Sequence, residues 1–145
     1  MKVLIAVDSC SSSDSVLSQI ASRRWSPSTE FELLMVVEHC HVDEMLRQLL
    51  HQSQIILSER ADLLKLKLQA KSVKTTLLEG KAAESIVNYA REIHADLIII
   101  GSHGDAGRRM AKVGSVAAAV VDHAPCSVEV VKIQTSERQA HPTGV

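Results

Sequence analysis

Apolar and polar positions alternate along this chain in blocks with two different periods. Val3 to Val7 is a continuous apolar run, as expected of a strand buried on both faces of a parallel sheet. Ser9 to Ser15 is polar with a helix-start signal, and Val16, Leu17, Ile20, Ala21 and Trp25 then share one helical face. Pro27 breaks that helix, and Phe31 to Val37 reads as a second strand. From Val42 to Lys71 there is neither Gly nor Pro, and the leucine spacing predicts a long helix, bent or interrupted near Ser53. Leu64, Leu66 and Leu68 alternate with lysines in a strand-like way. The clearer strand Val73 to Leu78 follows at once, so the helix is kept.

Glu79-Gly80 turns the chain into a helix with Ala83, Ile86, Val87, Ala90 and Ile93 in period. Leu97 to Ile100 is a second two-face-buried strand that stops at Gly101. Gly114-Ser115 opens an Ala- and Val-rich helix that ends before Pro125. Ser127 to Ile133, with Val128 and Val130, is the last strand. Strands alternating with helices predict a single α/β domain over residues 1–133, a five-stranded parallel sheet with helices on both faces. Residues 134–145 are polar and read as a flexible C-terminal tail.

Composition narrows the function. Aromatics are 2%, so the core is aliphatic and stacking platforms for single-stranded nucleic acid are not expected. Sixteen basic residues against 17 acidic give a net charge of −1, which favours neither nucleic acid nor an anionic membrane. Cys10, Cys40 and Cys126 are odd in number and form no Cys-x-x-Cys pair, so reduced thiols in a cytoplasmic protein are expected. No apolar run reaches membrane-spanning length. His39-Cys40-His41 fits no standard zinc spacing.

The chemistry concentrates after the fourth strand. Gly101 and Gly104, a basic segment and then Gly114-Ser115 at a helix start together place bare N–H groups around an anion. The alternative is turn glycines with no ligand. There is no Walker loop and no dinucleotide fingerprint after the first strand. Arg108, Arg109 and Lys112 either pair with phosphate oxygens or solubilise a surface loop. Asp8, at the carboxyl end of the first strand, either orders the turn and caps the next helix or contacts a ribose.

Gly101-x-x-Gly104, nine residues, then Gly114-Ser115, preceded by Ala95-Asp-Leu-Ile-Ile-Ile and followed by Val-Val-Asp-His-Ala-Pro-Cys-Ser-Val, resembles the ATP-binding signature of the universal stress protein family. The resemblance runs from Val3 to about Lys132. It implies a Rossmann-like sheet of order 3-2-1-4-5. Adenine then lies against Ala6, Val7, Val36 and Ile100, with ribose at Asp8. Phosphates lie over Gly101, Gly104, Gly114, Ser115 and Val116, with His103 and Arg108 nearby. It also implies ATP (or ADP or AMP) as ligand, with Mg²⁺, a role in stress response, and a homodimer through the last strand. Two residues depart from the pattern: Asp105 follows Gly104, and Ala117 stands where many binders carry Thr or Ser. No activated nucleophile or base is visible, so the residues favour binding over turnover. The alternatives are a nucleotide-free dimeric interaction protein and a slow ATPase or phosphotransferase.

Overall fold

The computed structural model describes residues 1–9, 13–102 and 113–132. Its elements are β1 (Lys2–Val7), α1 (Ser13–Ala21), β2 (Glu30–Val37), α2 (Asp43–Leu68), β3 (Val73–Glu79), α3 (Ala82–Glu92), β4 (Leu97–Gly101), α4 (Ser115–His123) and β5 (Ser127–Val131). The strands form one sheet in the order β3-β2-β1-β4-β5. Every pairing is parallel. This is the expected α/β architecture.

The apolar runs are continuous because the central strands are covered twice. On one face Val3, Ile5 and Val7 meet Val16, Leu17 and Ile20 of α1 and Leu57, Ala61 and Leu64 of α2. On the other, Leu4, Ile98 and Ile100 meet Ile86, Val87 and Ala90 of α3 and Ala117 and Val120 of α4. Each fully buried aliphatic side chain contributes about 1.5–3 kcal/mol. The edge strands β3 and β5 are only half-buried, and β3 accordingly mixes Lys74, Thr75 and Thr76 with its leucines. One carboxylate sits inside. Glu32 is buried, and its Oε2 accepts from Thr76 Oγ1 at 2.9 Å and from the Tyr89 hydroxyl.

Besides one-residue shifts at strand ends, the helices and the last strand differ from the sequence reading. Helix α1 ends at Ala21, so Trp25 is not on its face. The indole instead folds back, its Nε1 donating to the Ile20 carbonyl at 2.9 Å, and stands edge-on to Phe31. Helix α2 runs uninterrupted through Ser53, which lies buried on the core side. It stops at Leu68 rather than Lys71, because Gln69 turns left-handed (φ 53°). The N–H groups of Gln69 and Ala70 then close onto the carbonyls of Leu66 and Lys65, which satisfies the open end. Strand β5 ends at Val131, where its pairing with β4 ends at Gly101. Ile133 and the 134–145 tail lie outside the described residues. Among those described, no helix is long and apolar enough to cross a membrane.

Candidate functional site

Strands β1 and β4 lie side by side, Ala6 opposite Ile100. The next strand in sequence, β2, lies on the other side of β1. The strand order therefore reverses between β1 and β4, the place where open α/β sheets form a crevice beyond their carboxyl ends. Two strand-to-helix corners flank it.

At the β4–α4 corner the described residues are joined through backbone. Gly101 ends β4 opposite Val131. Ser102, 1% exposed, donates its N–H to the Val131 carbonyl at 2.8 Å and accepts the Gly114 N–H on its own carbonyl at 2.7 Å. Gly114, extended at φ −64° and ψ 162°, is the N-cap of α4 and offers no side-chain cap. Its carbonyl takes the first helical bond from Ala118 at 3.0 Å. The Gly114 N–H is thus engaged within the protein and is not among the anion-facing donors expected from the sequence. The next three N–H groups, of Ser115, Val116 and Ala117, meet no acceptor among the described residues. A helix leaves its first N–H groups without intrahelical partners and concentrates positive potential there. Ser115 and Val116 are exposed, whereas the Ala117 side chain is buried in the core.

The β1–α1 corner is built from side chains. Ser13, the first residue of α1, is buried. Its hydroxyl lies 2.9 Å from Asp8 Oδ1 and accepts the Asp8 N–H at 3.1 Å. Arg60 reaches over from α2 to donate to the Asp8 carbonyl, and its Nε lies 3.7 Å from Asp14 Oδ1. The turn-ordering reading of Asp8 is the one seen in these contacts.

Ala6, Val36 and Ile100 share the α3/α4 side of the sheet and form an apolar wall. Val7 does not join it. Side chains alternate along a strand, so Val7 faces the α1/α2 core and is buried there. His103, Gly104 and Arg108, with Asp105, Arg109 and Lys112, lie outside the described residues. Away from the crevice, His39 Nδ1 is 2.5 Å from Glu79 Oε1 and its ring meets His41 edge-on. Among the described residues no three His, Cys, Asp or Glu side chains converge as a metal site.

The sequence reading missed Arg60 and Ser102. Arg60 stands between Leu57, Ala61 and Leu64 on the core side of α2, and a cation on that stripe was the available signal. Ser102 was hidden inside the glycine motif.

Comparison with known proteins bears on the fold and the family. A universal stress protein of Methanocaldococcus jannaschii is 43% identical over 60 residues, a stretch covering 41% of this chain and 35% of that relative. The chain thus matches about a third of the relative's length. The universal stress protein UspA from Lactobacillus plantarum superposes with a TM-score of 0.75 at 28% identity, covering 90% of this chain and 97% of that one. A family member from Arabidopsis thaliana with AMP bound has a TM-score of 0.68 at 18% identity, covering 99% and 97%. Two further structures, a complex with cAMP and one from Archaeoglobus fulgidus with dAMP, have TM-scores of 0.71 and 0.63 at 20% and 21% identity. At such identities the likeness shows the fold alone. The pattern of the universal stress protein family itself matches residues 1–132, and this chain belongs to that family.

Proposed function

We propose that the crevice beyond β1 and β4 binds an adenine nucleotide, ATP first among them, and that the protein acts in stress response through that occupancy. The observation that carries the reading is the β4–α4 corner: a helix start without a side-chain cap, set at the strand-order reversal. The phosphates would meet the N–H groups of Ser115, Val116 and Ala117 and the Ser115 hydroxyl. Gly101 and Gly104 would let the chain pass close to them, with His103 and Arg108 adding charge or donors. Adenine would lie against Ala6, Val36 and Ile100. The Asp8 carboxylate, held by Ser13, would take the ribose hydroxyls. The AMP, cAMP and dAMP complexes of the same fold support the adenylate class. Mg²⁺ would arrive on the phosphate oxygens.

Hydrolysis is the second reading, confined to a slow ATPase. A homodimer belongs to the proposal as well. Among the described residues strand β5 pairs only with β4 and its far edge has no strand beside it, with Val128 and Val130 half-buried there.

Equilibrium titration of the purified chain with ATP, ADP and AMP tests the reading. Sub-millimolar binding that weakens on Ser115→Pro is expected; Pro is tolerated at the first helical position yet deletes one N–H and one hydroxyl. An affinity no tighter than about 1 mM for any of the three contradicts it. Adenine nucleotide found by mass spectrometry in ligand-free preparations would reject the nucleotide-free alternative.

A further inference from the structure

Of the ten large apolar side chains that stand exposed among the described residues, five lie in α2 and a sixth, Val42, is its N-cap. Four of those five, Met45, Leu49, Leu63 and Leu66, share one stripe. Met45, Leu49, Gln52, Ile56, Glu59, Leu63 and Leu66 follow one another at alternating intervals of four and three residues. That is the heptad spacing of a helix that packs along a second helix. The stripe lies beside the one that α2 buries against the sheet (Ser53, Leu57, Ala61, Leu64) and shares only Ile56 with that core. Met45 is 58% exposed, Leu49 40%, Leu63 45% and Leu66 76%. Helix α2 has 26 residues and is about 39 Å long, so the stripe runs most of the length of a small domain.

The order of residues along the stripe identifies its occupant. Both ends are apolar and the middle carries Gln52 and Glu59. The first turn of α2 is acidic (Asp43, Glu44) and the last is basic (Lys65, Lys67). We propose that α2 packs antiparallel against α2 of a second copy of this chain, about a two-fold axis beside Ile56. Leu49 then faces the partner's Leu63, and Met45 lies beside the partner's Leu66. Gln52 comes within a residue of the partner's Glu59 and can donate to its carboxylate. Each acidic turn meets a basic one. Such a surface is isologous, as a two-fold contact requires. A parallel pairing would set Glu59 against Glu59 and acidic turn against acidic turn, which is repulsive. The segment 133–145 is polar in sequence and offers no apolar block to cover the stripe. Helix α2 packs on β2 and β3, whereas β5 is the opposite edge of the sheet, so this contact is separate from any pairing through β5.

Sedimentation of the full chain over a concentration series tests the pairing, in the natural sequence and in a Val130→Lys background that removes a β5 contact. Leu49→Glu with Leu63→Glu should raise the α2-dependent dissociation constant by more than about tenfold. Thermal unfolding should confirm that the variant still folds. Leu66→Lys, at the most exposed position, should weaken it in the same direction. An assembly mass that none of these changes alters overturns the proposal and leaves the stripe to a helix of another protein. Orientation is read separately after Cys10, Cys40 and Cys126 are replaced by Ser. A Gln52→Cys chain mixed with a Glu59→Cys chain should form the mixed disulfide. Preferential joining of like with like overturns the antiparallel arrangement.

Discussion

Two neighbouring corners of this molecule solve the same problem in opposite ways. Each leads a buried parallel strand into a helix at the same end of the sheet. At the β1–α1 corner, side chains close the turn: Ser13 and Asp8 bond each other, and Arg60 holds the Asp8 carbonyl from α2. At the β4–α4 corner the bonds seen among the described residues are of backbone. Backbone bonds from Ser102 and Gly114 hold the two ends, and the first helical N–H groups meet no acceptor among the described residues. On the proposed reading, the difference separates support from recognition: the β1–α1 corner stabilises the fold, while the start of α4 keeps its first donors for the ligand.

That division orders the expected effects of substitution. The largest belongs to Arg60, whose side chain is only 11% exposed. Arg60→Met should lower stability by about 2–3 kcal/mol, because it removes a charged donor from the Asp8 carbonyl. Urea unfolding would measure it, and a loss near zero would mean the β1–α1 corner closes without α2. Tyr89→Phe comes next as a comparison from outside both corners. It leaves the buried Glu32 with one hydroxyl donor fewer and should destabilise by about 1–2 kcal/mol without changing nucleotide affinity. Its pH dependence has a definite sign. Burial, and then the hydrogen bond to Glu32, raise the Tyr89 phenol above its ordinary value of 10.0. The stability it contributes is complete below the unfolded phenol's value and is lost as pH rises through the folded one. Natural protein should therefore weaken at alkaline pH by an increment that the Tyr89→Phe variant lacks.

Smaller in free energy but more pointed is Ser115→Pro. It should weaken ATP binding by roughly tenfold, about 1.4 kcal/mol, while thermal stability changes little. The smallest effect is expected of Ser13→Ala. Loss of that hydroxyl should cost about 1 kcal/mol of stability. Affinity should fall only as far as Asp8 moves. If Ser13→Ala weakened binding more than Ser115→Pro, the roles of the two corners would be reversed.

The fold was legible in the sequence where one period dominated. Val3–Val7 and Leu97–Ile100 are apolar at every position because both faces of a central strand are covered, and nothing else of that length fits. Boundaries were less legible where an ending depends on geometry rather than composition. Gln69 ends α2 by turning left-handed without being Gly or Asn, and Trp25 continues the apolar period of α1 while serving as a lid on its last carbonyls. The glycine motif located the candidate site, but which donors face outward could not be read from it. Whether a given N–H points into the crevice or back to a carbonyl depends on ψ one residue away, and Gly114 turns its own inward. Arg60 left a signal on the core stripe of α2, but its partner could not be read, since Asp8 is 52 residues distant and the contact exists only once α2 lies across the β1 corner.

Amide chemical shifts of the labelled full-length chain during titration with ATP put the central distinction to the most direct test. The account expects the Ser115, Val116 and Ala117 amides to move most among the described backbone positions, with Asp8 and Ser13 moving less. Saturable binding that leaves those three amides in place would contradict it.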